Sequence, residues 1–209
     1  GFIGYHLAKV LLARGYAVVG VDVFNGYYPL CLKEARSAEL KTNSGFTEFR
    51  MDICDSDAFN RIFKDFNISR VCHLAAQAGV RYSIDHPMLY EESNLKAFLN
   101  VLEAVRHNNV PRLVYASSSS VYGGNSKVPS SEQDRVDNPI SLYAVTKKTN
   151  ELMASAYSHL YKFQTIGLRF FSVYGPWGRP DMALWLFTEK IMYGQKIKVF
   201  NNGNMKRDF

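Results

Sequence analysis

The sequence predicts an α/β fold in which helices wind on both faces of a parallel sheet. Three observations lead to this prediction. Helix-like and strand-like segments alternate along most of the chain, and this alternation implies right-handed crossovers between parallel strands. A glycine-led helix runs into an apolar strand that ends in an acid, Asp22. A serine run, residues 117–120, follows another apolar strand, at the sheet edge where such folds bind ligands.

The first half of the chain contributes elements in regular alternation. Apolar residues recur with helical spacing over 5–14, and the predicted elements that follow are strand 17–22, helix 30–42, strand 46–51, helix 56–66 and strand 71–76. Ser56 is the expected N-cap of its helix. His73 lies within an apolar run, and no Cys or His has the spacing of a metal partner, so we expect a packed core histidine and no metal site.

The second half continues the alternation up to about residue 171. The predicted elements are helix 87–108, strand 112–117, a polar loop at 123–139, helix 140–161 and strand 165–171. The Gly- and Pro-rich segment 174–180 then breaks the rhythm. A helix over 184–193 and a short strand over 198–200 are expected after it.

Composition places the chain among ordinary globular proteins and leaves few other classes open. It has 209 residues, 47% hydrophobic and 21% charged, with a net charge of +6. The basic residues are scattered, and no basic helix or aromatic RNA-binding signature is present, so we expect a small polyanion such as a nucleotide as ligand and no nucleic acid. No apolar run is long enough to span a membrane, so these residues predict no membrane contact.

The cysteines bear on the compartment. Cys31, Cys54 and Cys72 are odd in number and lack zinc-like spacing, which predicts reduced thiols and a cytoplasmic location. The sequence does not begin with Met, so an N-terminal signal or anchor stays open.

Tyr143 and Lys147 are candidates for acid–base chemistry. They are one helical turn apart and share a helix face. An ammonium beside a phenol lowers the pKa of the phenol, which suits a general base near neutral pH. Taken without other residues, the Tyr143/Lys147 spacing is also compatible with a solvated helix face that has no catalytic role. A hydroxyl of the serine run would complete a Ser/Tyr/Lys constellation, whereas a flexible polar loop is the alternative for the serines.

The chain's opening matches the later part of a dinucleotide-binding fingerprint. Gly1 and Gly4 lead a helix, and Asp22 ends the strand that follows about twenty residues on. Backbone N–H groups at the helix N-terminus would hold a pyrophosphate, and the acid would hold ribose hydroxyls. Asp22 repels a 2′-phosphate, so NAD is favoured over NADP. An ordinary turn is the alternative for the glycines. The first strand and first glycine of the fingerprint are absent, and we interpret the sequence as a fragment.

With these features in order, the chain resembles the extended short-chain dehydrogenase/reductase family of nucleotide-sugar enzymes over essentially its whole length. Segments 74–83, 115–123 and 168–183 also carry the resemblance, and the last is the most specific. It implies a Rossmann-like NAD-binding domain over 1–172 that lacks its first strand, and the beginning of a small C-terminal substrate-binding domain over 173–209. It also implies a homodimer through helices 87–108 and 140–161, whose apolar positions fit packing against the sheet equally well.

The resemblance assigns roles by position. The catalytic residues would be Ser118, the base Tyr143, and Lys147, which tunes the base. The implied NAD-binding residues are Gly1, Gly4, Asp22, Asp52, Ile53, Leu74, Ala75, Ala76, Tyr143 and Lys147. The implied substrate-binding residues are Arg81, Ser119, Ser120, Arg179, Val199, Phe200 and Arg207.

The implied activity is NAD-dependent C4 epimerisation of a UDP-sugar through a 4-keto intermediate, with UDP-glucuronate converted to UDP-galacturonate. Arg179, able to form a bidentate pair, would hold the sugar carboxylate together with Ser120 and Ser119; a loop cap at the surface is its alternative. Related 4,6-dehydratases carry an Asp-Glu pair at positions 119 and 120, and related decarboxylases a Glu at 120, where this chain has hydroxyls. UDP-glucose 4-epimerase, UDP-glucuronate decarboxylase and a catalytically silent NAD- and nucleotide-sugar-binding protein remain as alternatives.

Overall fold

The computed structural model describes residues 1–199 and 201–204, and the chain divides into two compact units. The first unit contains residues 1–50 and the segment from 171 onward, and the second contains residues 51–170. Each unit has its own parallel sheet, with two strands in the first unit and three in the second.

The first unit is built on two parallel strands covered by helices. Its elements are α1 (Phe2–Ala13), β1 (Val18–Asp22), α2 (Leu30–Lys41), β2 (Phe46–Arg50), α8 (Ala183–Met192) and a 3₁₀ turn at Asn201–Gly203. The strand register runs from Val18 opposite Phe46 to Asp22 opposite Arg50. Tyr5, Ala8 and Leu12 lie on one face of α1 and are buried in one cluster with Leu40 of α2. The helical spacing of these apolar residues explains why α1 and α2 cover the same sheet.

The second unit holds a three-stranded parallel sheet in the order β3-β4-β5. Its elements are α3 (Ser56–Asp65), β3 (Val71–His73), α4 (Tyr82–Asp85), α5 (Pro87–Tyr90), a π-helical segment (Glu91–Lys96), α6 (Ala97–His107), β4 (Arg112–Ser118), a 3₁₀ turn (Ser119–Tyr122), α7 (Leu142–Tyr161) and β5 (Gln164–Phe170). The core lies between α6 and the sheet, where Phe98, Leu102, Val105 and Leu113 are almost fully buried. The apolar spacing of Phe98, Leu102 and Val105 accounts for the helix face that α6 turns inward.

Most predicted elements are confirmed, and the main differences are local. Asp55, rather than Ser56, caps α3, because its Oδ1 accepts a hydrogen bond from Ala58 N at 3.0 Å. The third strand ends at His73, and residues 74–76 are irregular because the chain turns toward a buried asparagine described below. The strand expected at 198–200 is not formed at residues 198 and 199, and residue 200 lies outside the described part.

His73 is a core residue, as predicted. Its ring lies 5.4 Å from that of Phe98, and burial, with the nearby Lys147 charge, lowers the pKa of His73 to about 3, so it is neutral. Within residues 1–199 and 201–204 no group of three His, Cys, Asp or Glu could hold a metal ion. Nor does any helix in that part have the length and apolar character needed to cross a membrane.

Candidate active site

The three candidate catalytic residues all lie in the second unit. Helix α7 begins after Ser141, whose Oγ accepts a hydrogen bond from Ala144 N at 3.1 Å. This cap places Tyr143 in the first turn and Lys147 in the next. Helix α7 packs against β4 and against the 3₁₀ turn that follows it. The helix that carries the Tyr/Lys pair therefore contacts the serine run.

Lys147 is buried, with only 2% of its surface exposed. Its Nζ donates a hydrogen bond to the backbone carbonyl of Ala116 at 2.8 Å. Burial lowers the pKa of Lys147 to about 8, because desolvation disfavours the ammonium. At neutral pH most of the side chain is still protonated. A solvated helical face is thus excluded for Lys147, and its charge is held next to the serine run.

The serine run forms the end of a strand and a tight turn. Ser117 and Ser118 are buried residues of β4, and residues 119–122 form the 3₁₀ turn. The Ser118 Oγ accepts a hydrogen bond from Ser120 N at 3.1 Å and so caps this turn. The serine run is therefore part of regular secondary structure, and the alternative of a flexible polar loop does not apply to it. Ser119 and Ser120 are half-buried in the turn.

The segment after β3 lies at the same sheet edge as the serine run. β3 pairs with β4 in parallel, with His73 opposite Tyr115, so the carboxyl ends of both strands share one edge. Ala75 is exposed there, and Leu74 and Ala76 are partly buried. Small residues at a strand end leave room for a ligand to approach the backbone. Arg81, also in this unit, is exposed immediately before α4.

A buried asparagine that the sequence analysis missed fixes this segment to α7. Asn94 lies in the π-helical segment; its Oδ1 accepts from Gln77 N at 2.8 Å, and its Nδ2 donates to Gln77 O and to Thr146 Oγ1, both at 3.0 Å. The Asn94 carbonyl accepts from Asn150 Nδ2 at 2.8 Å. Single π-helical turns within α-helices are frequent at functional sites. Asn94 is a polar residue within the apolar pattern of the predicted helix 87–108, and this position was the signal from which the buried network could have been inferred.

Asp52 and Ile53, the predicted adenine-binding pair, lie in the second unit. Asp52 is exposed and its Oδ1 accepts a hydrogen bond from Cys54 N at 2.8 Å. Ile53 is buried, and its carbonyl accepts from Asn100 Nδ2 at 2.9 Å. The Asn100 contact holds the backbone at Ile53 against α6, whereas the Asp52 carboxylate is exposed to solvent.

Gly1 and Asp22 of the first unit fit the dinucleotide pattern. Helix α1 begins at Phe2, directly after Gly1, without a side-chain cap. Asp22 Oδ1 accepts a hydrogen bond from the backbone nitrogen of Phe24 at 2.8 Å. Each carboxylate oxygen has capacity for a further donor. A glycine at a helix N-terminus and an acid at the end of the next strand suit a pyrophosphate and a ribose.

Arg179 forms the bidentate carboxylate pair that the sequence suggested, but with a residue of its own loop. Its Nε and Nη2 donate to the two oxygens of Asp181 at 3.0 and 2.5 Å. Tyr27 also donates to Asp181, at 3.2 Å. The geometry corresponds to the loop-capping alternative. A joint role of Arg179 with Ser119 and Ser120 stays a prediction.

The remaining predicted substrate residues lie at the end of the chain. Val199 is exposed and is not part of a strand. Phe200 and Arg207 lie outside the described residues.

The glycine-led helix with its strand-terminal acid, and the Tyr/Lys helix packed on a serine run, are typical of the class of α/β proteins that bind dinucleotides. The chain belongs to the NAD dependent epimerase/dehydratase family, whose model matches residues 1–209. The α/β fold expected from the sequence is thereby confirmed.

Known proteins of this family are similar over the whole chain. Protein CapI of Staphylococcus aureus is 54% identical over 210 residues, which cover 100% of this chain and 62% of that protein. UDP-glucuronate 4-epimerase 4 of Arabidopsis thaliana is 49% identical over 213 residues, covering 100% of this chain and 48% of that protein. The crystal structure of UDP-glucuronic acid 4-epimerase from Bacillus cereus in complex with UDP-glucuronic acid and NAD superposes with a TM-score of 0.92 at 36% identity, covering 100% of this chain and 66% of that one. The chain thus spans less than two thirds of the length of these relatives.

Proposed function

We propose that the protein is an NAD-dependent UDP-sugar 4-epimerase that interconverts UDP-glucuronate and UDP-galacturonate. The observation that carries the proposal is the packing of α7, with Tyr143 and Lys147, against the strand end and turn that hold Ser118. The Arabidopsis relative and the Bacillus cereus structure, both UDP-glucuronate 4-epimerases by name, support the substrate. The hydroxyls of Ser119 and Ser120 support epimerisation over elimination, which needs an acid and a base.

The residues of this chain suit distinct parts of that reaction. Tyr143, as phenolate, takes the proton of the sugar 4-hydroxyl and returns a proton to the 4-keto oxygen. The Lys147 ammonium stabilises the phenolate, and the Ser118 hydroxyl hydrogen-bonds the reacting oxygen. NAD, when bound, supplies hydride uptake from C4 and hydride return to the opposite face.

Cofactor binding is assigned to residues near the strand ends. The α1 N-terminus at Gly1 and Gly4 would hold the pyrophosphate, with Leu74, Ala75 and Ala76 along its path. Asp22 would accept the adenosine ribose hydroxyls, and Asp52 and Ile53 would contact the adenine. Lys147 would also hydrogen-bond the nicotinamide ribose.

The sugar carboxylate has to be restrained during the reaction. A 4-keto glucuronate is a β-keto acid and loses carbon dioxide when the bond to the carboxylate stands perpendicular to the ketone plane. In our proposal Arg179 leaves Asp181 and forms the equivalent bidentate pair with the substrate, while Ser120 and Ser119 donate hydrogen bonds to it. The remaining assigned substrate contacts are Arg81, Val199, Phe200 and Arg207.

UDP-glucose 4-epimerase is the second candidate, and one observation favours it. The Arg179 guanidinium is already neutralised by Asp181. A sugar without a carboxylate would leave this pair intact and would need no exchange of partners.

The resemblance also leads us to propose a homodimer formed by the segment 87–108 and α7, and a division into domains 1–172 and 173–209.

All three cysteines are free thiols, which supports a cytoplasmic location.

The test is an NMR assay that follows the sugar anomeric signals of UDP-glucuronate with NAD and no external reductant. We expect UDP-galacturonate from the wild type and a loss of about 100-fold or more in rate for Tyr143→Phe, since a positioned general base contributes that much. Tyr16→Phe, at an exposed tyrosine, is the matched control. Conversion of UDP-glucose alone would establish the second candidate, and a UDP-pentose would contradict the proposed restraint of the carboxylate.

A further inference from the structure

An ion pair outside the assigned catalytic residues connects three elements around the serine run. Glu151 of α7 accepts hydrogen bonds from Arg169 of β5 through both oxygens, Nε to Oε1 at 2.8 Å and Nη2 to Oε2 at 2.9 Å. Ser117 Oγ of β4 donates to the same Oε1 at 2.6 Å. Both charged side chains are largely shielded, at 15% and 19% exposure. Ser117, Glu151 and Arg169 thus form one hydrogen-bonded Ser–Glu–Arg cluster.

The cluster joins α7 to β4 next to the Lys147 contact. Glu151 lies one turn after Lys147 on α7, and the two residues bond consecutive positions of β4: Lys147 the carbonyl of Ala116, and Glu151 the hydroxyl of Ser117. Ser117 and Arg169 are register partners on the paired parallel strands β4 and β5. The position of the helix along the strand is therefore set by two polar contacts with directional geometry.

The same ion pair reaches both ends of the turn that carries the candidate site serines. Ser117 immediately precedes Ser118, and the Arg169 guanidinium lies 5.0 Å from the ring centroid of Tyr122, the last residue of the 3₁₀ turn. A third Arg169 contact, from Nη1 to the Glu132 carbonyl at 3.4 Å, reaches the following loop. The backbone that presents residues 118–121 is thus held on either side by one arginine–glutamate pair.

We propose that Glu151, oriented by Arg169, is a positioning residue that fixes the hydroxyls of Ser118, Ser119 and Ser120 relative to Tyr143. The proposal rests on the proposed function, because it assigns the serine turn a role in the reaction. Successive side chains of a strand point to opposite faces of the sheet, so fixing the Ser117 side chain also fixes the direction in which Ser118 points. A displacement of about 1 Å in a reacting group can lower a rate by about 100-fold.

The chain offers a matched control on the same helix. Tyr157 of α7 donates its hydroxyl to Glu103 Oε1, also at 2.6 Å, and Glu103 is further paired with Arg106. Tyr157→Phe and Ser117→Ala each remove one hydroxyl–carboxylate hydrogen bond of α7 and leave the carboxylate paired with an arginine. Only Ser117→Ala removes a contact next to the 3₁₀ turn at residues 119–122. Ser117→Thr restores the hydroxyl and tests rescue.

The experiment measures hydrogen exchange of residues 118–122 together with kcat and KM for the UDP-sugar. For Ser117→Ala and for Glu151→Gln we expect exchange in the turn to rise by about fivefold or more, because a local hold is lost. We also expect kcat to fall by about tenfold or more while KM changes by less than about threefold, since the loss falls on transition-state geometry. Ser117→Thr should recover most of kcat, and Tyr157→Phe should leave kcat and the turn unchanged.

The outcomes separate this proposal from the proposed function. Unchanged exchange in the turn of the Ser117→Ala protein contradicts the positioning role whether or not the wild type converts a UDP-sugar. An equal loss of kcat in Tyr157→Phe also contradicts it, because the effect would then be general destabilisation. A wild type that converts no UDP-sugar overturns the proposed function, and the exchange measurement still decides the role of Glu151.

Discussion

The Lys147 ammonium donates a hydrogen bond to the backbone carbonyl of Ala116 at 2.8 Å. The contact connects α7 to β4 directly before the serine run, so the position of Lys147 is set by the sheet. A buried cation with one neutral acceptor is costly for folding, because desolvation disfavours the charge. Such a cost is expected where the charge serves a reaction rather than stability.

Lys147→Met should therefore stabilise the fold and abolish activity. Lowering the pKa of Lys147 from 10.5 to about 8 corresponds to about 3 kcal/mol at neutral pH. Denaturant unfolding should show up to that gain for Lys147→Met. Lys148→Met, at the neighbouring lysine paired with Asp137, should change the unfolding free energy by less than about 1 kcal/mol.

The pH dependence of this gain has a defined sign. Below pH 8 Lys147 is protonated in both the folded and the unfolded state, so the wild type bears the full cost of the buried charge. Between about pH 8 and 10.5 the folded state loses its proton first, and the wild type gains stability relative to Lys147→Met. The stability difference should shrink over this window. A difference that stays constant from pH 7 to 10 would contradict a buried ammonium.

Asp22→Asn should change cofactor selectivity. Asp22 presents its carboxylate at the end of β1, where it would accept ribose hydroxyls and repel a 2′-phosphate. We expect NAD to bind about tenfold more weakly and NADP more tightly, which fluorescence titration of both cofactors would measure. Asp65→Asn, at an exposed acid of α3, serves as control. Equal loss for NAD and NADP would argue against ribose recognition by Asp22.

Arg179→Gln tests recognition of the carboxylate. Loss of a charge-assisted bidentate pair should raise KM for UDP-glucuronate by about 10- to 100-fold and leave KM for UDP-glucose unchanged. A UDP-pentose and carbon dioxide should appear in the NMR assay, because the 4-keto acid is less restrained. Arg14→Gln, on the exposed end of α1, is the control. Unaltered UDP-glucuronate kinetics would instead leave Arg179 with the loop role that its pair with Asp181 shows.

Asn94→Ala should be strongly destabilising. The change removes side-chain bonds to Gln77 and Thr146 and leaves buried backbone groups of Gln77 unpaired. We expect a loss of about 3 kcal/mol in the free energy of unfolding. Asn108→Ala removes a single bond to Ala104 at a helix end and should cost about 1 kcal/mol or less. Equal losses for the two variants would mean that the buried network contributes nothing beyond one bond.

Local patterns were sufficient for most of the secondary structure and for much of the candidate site. The spacing of Tyr143 and Lys147 placed them on one helix face, and the position of the serines after an apolar run placed them at a strand end. The cap of α3 was misplaced by one residue, because Asp55 and Ser56 are both good capping residues and only the backbone geometry selects between them. The early end of β3 depends on Asn94, which is 17 positions from its partner Gln77.

The sequence by itself determined the α/β class, the order of the elements and the residue types at the candidate site, because hydrophobic periodicity and short spacings are local properties. Only the tertiary structure decided which polar groups meet. The contacts of Lys147 with Ala116, and of Glu151 with Ser117 and Arg169, depend on how helices and strands lie against each other. Hydrogen bonds require donor and acceptor within about 3 Å, and sequence spacing does not fix distance between elements.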